Sequence, residues 1–534
     1  MTQTLVDKLV ARFRTLGVER MFGVPGGGSS LELIEAAGRV GINFVLCKTE
    51  TAAALMAAVS AELTGVPGVV LTGIGPSAAS VVNGVAYASL ERAPLILITD
   101  AADRDGTLSP HQVFDQQAMF APITKGTLRL TAGNAGTAMD SLIQSTLVDP
   151  YGPIHFDLSV KEARARVVQE LNPGDVAPLE TYPDIDEPLG NMAQLLSRSR
   201  RPVIIVGHQA RRPGISEKLR DLVDRIGCPV LSTYKAKGVI PDDDPWFVGL
   251  FTGGTAEGDT LSKADLILTL GLDPIEAIPA PWTYVAPVGV ALQGMSEEFP
   301  FTPTVCLDGS LSANVETLTE TASRSDWHTS EVGELRARLR ARLALRGHGH
   351  TAGSIVDALA KAAPSGTRLA VDAGAHMFSA MARWPAAQPH DVLKSNGLST
   401  MGFALPAAIA SYLNDPGRPV IALIGDGGML MCLAELSTAA HLNIPLTVVV
   451  VNDAALSLID IKQRHLQHPV SGVRYPAVDF ATAARGLGCQ AWTVGADESI
   501  EKVLPMAFSA QVPCVIDVTA DPDGYGDQMT ALRK

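Results

Sequence analysis

A chain of 534 residues, 46% hydrophobic and 18% charged, is too long for one ordinary core and is expected to divide into about three domains. Its formal charge of −14, with no basic run, excludes a nucleic-acid partner, and no apolar stretch of about 18 residues runs free of charges and turn formers, so no membrane span is expected. The six cysteines form no C-x-x-C pair and the first residues, MTQTLVDKLVARFRTLG, read as an amphipathic helix, not a secretory signal; both point to a reduced, cytoplasmic protein without structural zinc.

The N-terminal domain is expected over residues 1–172. A helix from Thr4 to Leu16 leads to a strand, Arg20 to Val24, and to the turn Pro25-Gly26-Gly27-Gly28. A helix over Leu31 to Ala37, the strand INFVLC and a long alanine-rich helix from Thr51 follow, and GVVLTG, APLILITD and PIHFDL supply three more buried strands. Alternation of this kind predicts a doubly wound α/β domain. Glu50 opens the alanine-rich helix, where a first-turn glutamate is ordinarily favoured by the helix dipole. The glycine turn lacks the G-x-G-x-x-G spacing of a dinucleotide fingerprint. His111 reads as a surface or capping residue.

Residues 171–190 are rich in Pro, Asp and Glu without periodicity and read as a linker. The central domain, residues 186–345, opens on RPVIIVGHQARRPG and has further strands at CPVLST, ADLILTLG and TPTVCLDG. It carries no decisive nucleotide fingerprint. Arg211, Arg212, Lys235 and Lys237 are candidates for phosphate, although such residues are usually solvated. The charged helix Glu331 to Arg346 and the tract RGHGH read as the next linker.

The third domain, residues 353–534, begins with SIVDALAKAAPSGTRLAVDAGA, a weak echo of the N-terminal TLVDKLVARFRTLGVERMFGVPGG that predicts two related α/β domains. Its centre is LIGDGGMLMCLAELSTAAHLNIPLTVVVVNDAALSL. The strand IALIG is broken by Gly425-Asp426-Gly427-Gly428; a helix over Met429 to His441 follows, then the strand LTVVVV, ending at Asn452-Asp453. Such a unit is a right-handed parallel crossover, with both strand tips on the ligand-binding edge of the sheet. Asp426 and Asp453, 27 positions apart, are thereby expected to meet as ligands for a hard cation beside a phosphate. Singly, each is also an ordinary N-cap or turn residue.

Gly-Asp-Gly, about two dozen residues and then Asn-Asp resembles the signature of thiamine-diphosphate enzymes, closest to the acetolactate synthase and benzoylformate decarboxylase group. The resemblance extends to ETAAALMA from Glu50 and to SNGLSTMGFALPAAIAS, residues 395–411. It implies that Asp426, Asp453 and the Ala455 carbonyl hold Mg²⁺ on the cofactor diphosphate, with Gly425, Gly427, Gly428, His376 and Leu458 around the cofactor. By the same resemblance Met401 is wedged beneath the bent cofactor, the backbone at Ser399 and Met401 meets the pyrimidine edge, and Ser399 replaces a usual glycine. Pro25 and Glu50 fall on the pyrimidine side, where a buried Glu50 of raised pKa would protonate the ring and so activate the thiazolium carbon. Gly26, Gly27 and Gly28 would leave room for substrate, and His111, Phe114 and Gln116 lie in the counterpart of a second active-site loop.

The implied protein is three doubly wound α/β domains with mainly parallel sheets: pyrimidine-binding, central and diphosphate-binding. It would decarboxylate or cleave a 2-oxo acid through an enamine, then release an aldehyde or join a second carbonyl. Active sites would lie between subunits of a homodimer or homotetramer. FAD or ADP in the central domain stays open. The paired histidines of pyruvate decarboxylase have no counterpart around Gly106 to Phe114, Lys462 stands where biosynthetic acetolactate synthases have a tryptophan, and GLDPIEA replaces their arginine-bearing motif. These absences imply a divergent substrate. An acyl-CoA-type lyase of the same family and a non-catalytic cofactor-binding relative remain alternatives; a nicotinamide-dependent dehydrogenase is opposed by the missing G-x-G-x-x-G turn with its acidic partner.

Overall fold

The computed structural model describes residues 3–103, 111–167, 186–276, 281–294, 298–345 and 347–533. Most of the linker expected at 171–190 lies outside these residues; its described end is already helical, within Asp186–Arg198.

Three six-stranded sheets, every pairing within them parallel, organise the chain. The first contains β1 (Arg20–Val24), β2 (Asn43–Leu46), β3 (Gly68–Thr72), β4 (Leu95–Ala101), β5 (Thr127–Arg129) and β6 (Pro153–Ser159) in the order β2-β1-β3-β4-β6-β5. The second contains β7 (Pro202–Val206), β8 (Val230–Ser232), β9 (Phe247–Leu250), β10 (Leu266–Leu270), β11 (Val288–Leu292) and β12 (Val305–Asp308) in the order β9-β8-β7-β10-β11-β12. That is the strand order of dinucleotide-binding folds. The third contains β13 (Arg368–Val371), β14 (Val392–Lys394), β15 (Val420–Gly425), β16 (Thr447–Asn452), β17 (Gln490–Val494) and β18 (Cys514–Thr519) in the order β14-β13-β15-β16-β18-β17. The first and third sheets therefore share one topology, as the weak sequence echo implied.

Central strands such as PVIIV and TVVVV are buried along nearly their whole length because helices cover both faces of each sheet. The short edge strand β5 and the strands β9 and β11 were not anticipated; three to five residues show too little periodicity to separate strand from loop.

Helix α1 (Glu50–Thr64) is capped by Thr49, whose hydroxyl accepts from the Ala52 N–H, and ends at Gly65 in the left-handed region. Its small residues admit α2 (Val82–Leu90) so closely that Gly84 lies against Ala54. The charged helix α3 (Thr329–Arg342) is not a linker. Val332, Leu335 and Leu339 bury one stripe of it in the core shared by the second and third sheets, while its charges occupy the other faces. In the third domain α4 (Ala375–Arg383) follows β13 and α5 (Ala404–Asn414) follows β14. The helix expected from Met429 to His441 is two, α6 (Asp426–Cys432) and α7 (Glu435–His441), and α8 (Ser457–His465) follows β16. Helices α1 and α5 belong to one hydrophobic cluster, which joins the first and third domains.

Candidate active site

A cavity of about 440 Å³ opens at the C-terminal edge of the third sheet. Parallel pairing of β15 with β16 sets the tip residues Asp426 and Asp453 side by side on its wall. Asp426 is 2% exposed; its Oδ1 accepts the Gly427 N–H at 2.8 Å, while Oδ2 is buried with the Tyr475 hydroxyl near the carboxylate, neither atom completing a hydrogen bond of good geometry. Burial raises the pKa of Asp426. Asp453 accepts from the Ser457 hydroxyl at 2.7 Å, yet burial and the neighbouring Asp426 charge push it up to about 6. Ala454 stands between Asp453 and Ala455 at φ 55°, a left-handed conformation that costs a non-glycine residue about 1–2 kcal/mol and recurs at ligand sites.

Two crowded carboxylates with an orphaned oxygen are an all-oxygen donor set for a hard divalent cation. Among the described residues no three His, Cys, Asp or Glu side chains cluster as a metal cage. That agrees with Mg²⁺, which takes one or two carboxylates and completes its octahedron with phosphate and water oxygens. His376, at the start of α4, lines the same cavity; burial pushes it down to about 4, so the ring is neutral at pH 7, and its Nε2 is buried without a partner.

Asp372, at the tip of β13, was not singled out from the sequence. It is fully buried and accepts the N–H groups of Gly402 (3.0 Å), Phe403 (2.6 Å) and Ala404 (3.2 Å), which fixes the loop carrying Met401. A Cβ at Gly428 would overlap the Asp372 carboxylate, so that glycine is required by close approach. The Met401 side chain lies against Gly427, in the cavity wall. Ser399 has φ 53°, which explains why glycine is usual there, and its hydroxyl donates to the Asn396 carbonyl. Glu91 of the first domain holds the same loop by accepting the N–H groups of Asn396 and Gly397 at 2.5 and 2.8 Å. The only available signal for Asp372 and Glu91 was an acid at a strand or helix end, which is too common to single out.

Three parts of one family match this chain in order: the N-terminal TPP binding domain of thiamine pyrophosphate enzymes at residues 3–119, their central domain at 189–287 and their C-terminal TPP binding domain at 372–518. The chain belongs to the thiamine pyrophosphate enzyme family. It is 27% identical to an acetolactate synthase of Bacillus subtilis, over 99% of this chain and 94% of the relative. A catabolic acetolactate synthase of Raoultella terrigena is 28% identical over 96% and 94%, and a probable 2-ketoarginine decarboxylase of Pseudomonas aeruginosa 28% identical over 91% and 89%.

The N-terminal TPP binding domain contributes no described residue to the cavity wall. Glu50, expected to be buried, is half-exposed at the start of α1. Its position is nevertheless fixed: the Glu435 carboxylate, itself fully buried, accepts the Lys48 and Thr49 N–H groups at 3.0 Å each. Pro25, His111 and Phe114 are exposed.

The residues expected near substrate in this domain pack as follows. A Cβ at Gly26 or Gly28 would meet the Asp100 carboxylate, and at Gly26 also Gly73, so close packing requires both glycines, whereas Gly27 faces open space. Gln116 points inward, bonding the Gly75 N–H, Thr99 and Asp157 at 2.8–3.0 Å, and so joins a buried polar network with His155.

The four basic residues singled out in the central domain are engaged in ion pairs. Lys235 bridges Glu62 (2.7 Å) and Glu91 (2.8 Å), Arg211 binds Glu62 at 3.2 Å, Lys237 pairs with Asp242, and Arg212 with Asp149. The first domain also contacts residues that follow strands of the second sheet. Arg92 binds Asp273 after β10 at 2.8 Å, and Asp149 also takes the Gln293 amide after β11 at 2.7 Å.

Proposed function

We propose that this chain is a Mg²⁺- and thiamine-diphosphate-dependent enzyme that decarboxylates a 2-oxo acid and releases or ligates the product, without a nucleotide in its central domain. The observation that carries this reading is the Asp426–Asp453 pair with its orphaned oxygen. Both acids would hold Mg²⁺, together with the Ala455 carbonyl; His376 would face the diphosphate with a neutral imidazole; Met401 would support the bent cofactor from below. When bound, thiamine diphosphate supplies the electron sink that decarboxylation of a 2-oxo acid needs. The relatives, two acetolactate synthases and a probable 2-ketoarginine decarboxylase, support this class of substrate.

Glu50 would hold and release the proton at the pyrimidine ring. Among the described residues it does not line the acidic cavity, so the catalytic unit is a homodimer in which the Glu50 face of one protomer closes the acidic cavity of the other, with a tetramer as the next level. Exposed apolar side chains on both faces support this: Leu31, Leu46 and Phe114 on the first domain, Leu430, Met431 and Ile459 on the third. No helix among the described residues is long and apolar enough to cross a membrane, and the six free cysteines, five of them buried, suit a reducing cytoplasm.

The test is a panel of 2-oxo acids with thiamine diphosphate and Mg²⁺, following CO₂ and carbonyl products. Turnover that needs both additions and a colourless protein are expected; a flavin-coloured protein would overturn the central-domain reading. Glu50→Gln is expected to lose about two orders of magnitude in turnover while still binding cofactor. Full turnover in that variant would remove Glu50 from its role.

A further inference from the structure

Beyond the cofactor groups, the cavity wall contains Lys394, the last residue of β14, with Tyr234 and Ile275 of the central domain. The Lys394 side chain is buried, 4% exposed. Its ammonium donates to the Ser395 carbonyl at 2.9 Å and the Asn396 side-chain oxygen at 3.2 Å, and lies 5.0 Å from the centre of the Tyr234 ring. Among the described residues no carboxylate comes within 4.0 Å of it. The nearby acids are already engaged: Glu62 holds Lys235 and Arg211, and Glu91 holds Lys235 and the loop N–H groups. Glu276, also on the wall, accepts from the Thr233 hydroxyl at 2.6 Å and the His208 N–H at 2.8 Å. His390, beside the same cluster, is pushed well below its ordinary pKa by burial and by Arg211, so it adds no positive charge.

The cluster thus contains three cations, Lys235, Arg211 and Lys394, and three carboxylates, Glu62, Glu91 and Glu276; of the cations only Lys394 makes no ion pair within 4.0 Å among the described residues. A buried cation without a counter-ion is costly, and the open side of Lys394 is the cavity. Burial lowers the Lys394 pKa to about 8, with Glu91 raising and Lys235 lowering it, which leaves most of the ammonium charged at pH 7.

We propose that Lys394 is a specificity residue that binds a second, distal anionic group of the substrate, making the preferred substrate a dicarboxylic 2-oxo acid. This rests on the 2-oxo-acid reading above and names the class within it. Tyr234 and Ile275 would pack on the methylene chain between the two carboxylates.

The test compares the wild-type holoenzyme with Lys394→Met, which keeps the length of the side chain and removes its charge, and with Lys394→Arg. Kinetics with 2-oxoglutarate and 2-oxopentanoate, matched in chain length, are expected to show a preference of about tenfold or more for the dicarboxylate, lost in Lys394→Met through KM and partly kept in Lys394→Arg. Calorimetric titration of unreactive glutarate into the cofactor-loaded protein separates binding from chemistry: binding to wild type and about tenfold weaker binding to Lys394→Met support the proposal even if neither 2-oxo acid turns over, which would sink the reaction alone. A wild-type preference for 2-oxopentanoate, equal or absent glutarate binding in both proteins, or loss of thiamine diphosphate binding in Lys394→Met would overturn it.

Discussion

The first and third sheets share a strand order, yet the acids at their tips have opposite surroundings. In the first, Asp100 at the end of β4 accepts from Gly28 N–H (3.2 Å), the Ser29 hydroxyl (2.7 Å), Ser30 N–H (2.7 Å) and the Ser30 hydroxyl (2.8 Å). It is a satisfied acid that locks the glycine turn onto the sheet. In the third, Asp426 at the end of β15 keeps one oxygen unpaired and faces a second carboxylate across the neighbouring strand. One topology therefore yields a structural clamp where donors surround the acid, and a proposed cation site where two buried carboxylates stand side by side. Topology sets where a ligand can bind; the donor count around the tip acids decides which tip binds it.

The comparison is tested most severely by removing the two acids in turn. Asp426→Ala is expected to weaken Mg²⁺-dependent binding of thiamine diphosphate by about two orders of magnitude, while the metal-free protein unfolds at an unchanged or higher denaturant concentration, since an unsatisfied buried charge has gone. Calorimetric titration and urea denaturation check the two halves. Asp100→Ala is expected to do the reverse: it strands several buried donors and lowers stability by about 3 kcal/mol, with Mg²⁺ affinity at the third sheet intact.

Proton linkage sharpens the same contrast. Asp453 is raised to about 6 in the fold, above an ordinary aspartate, so the native state binds more protons than the unfolded chain between about pH 4 and 6. The metal-free protein should accordingly lose stability as pH rises through that window. Mg²⁺ must displace the bound proton, so its affinity should climb about fourfold from pH 5.5 to 7.5 on account of Asp453 alone. Unfolding at several pH values with and without Mg²⁺ measures both. The smallest effect belongs to Ser399→Gly: relief of the left-handed strain is offset by the greater freedom of an unfolded glycine, so stability should change by less than about 1 kcal/mol and turnover little.

Much of this was legible in the residues themselves. Strands such as IALIG and TVVVV declare themselves as apolar runs between turn formers, and a short crossover between parallel strands forces Asp426 and Asp453 to one edge. Sequence alone therefore determined the layered fold, the acidic pair and the family signature, because these depend on local pattern and connectivity.

Only the tertiary structure decided what surrounds each group. It packed Gly26 and Gly28 against Asp100, drew Gln116 inward, buried Lys235 and Arg211 against Glu62, and left Lys394 without an ion pair among the described residues beside the cavity. Those outcomes follow from charges and donors brought together across three domains from positions up to several hundred residues apart. Desolvation and pairing act through space, and nothing in a linear pattern records the distances on which they depend.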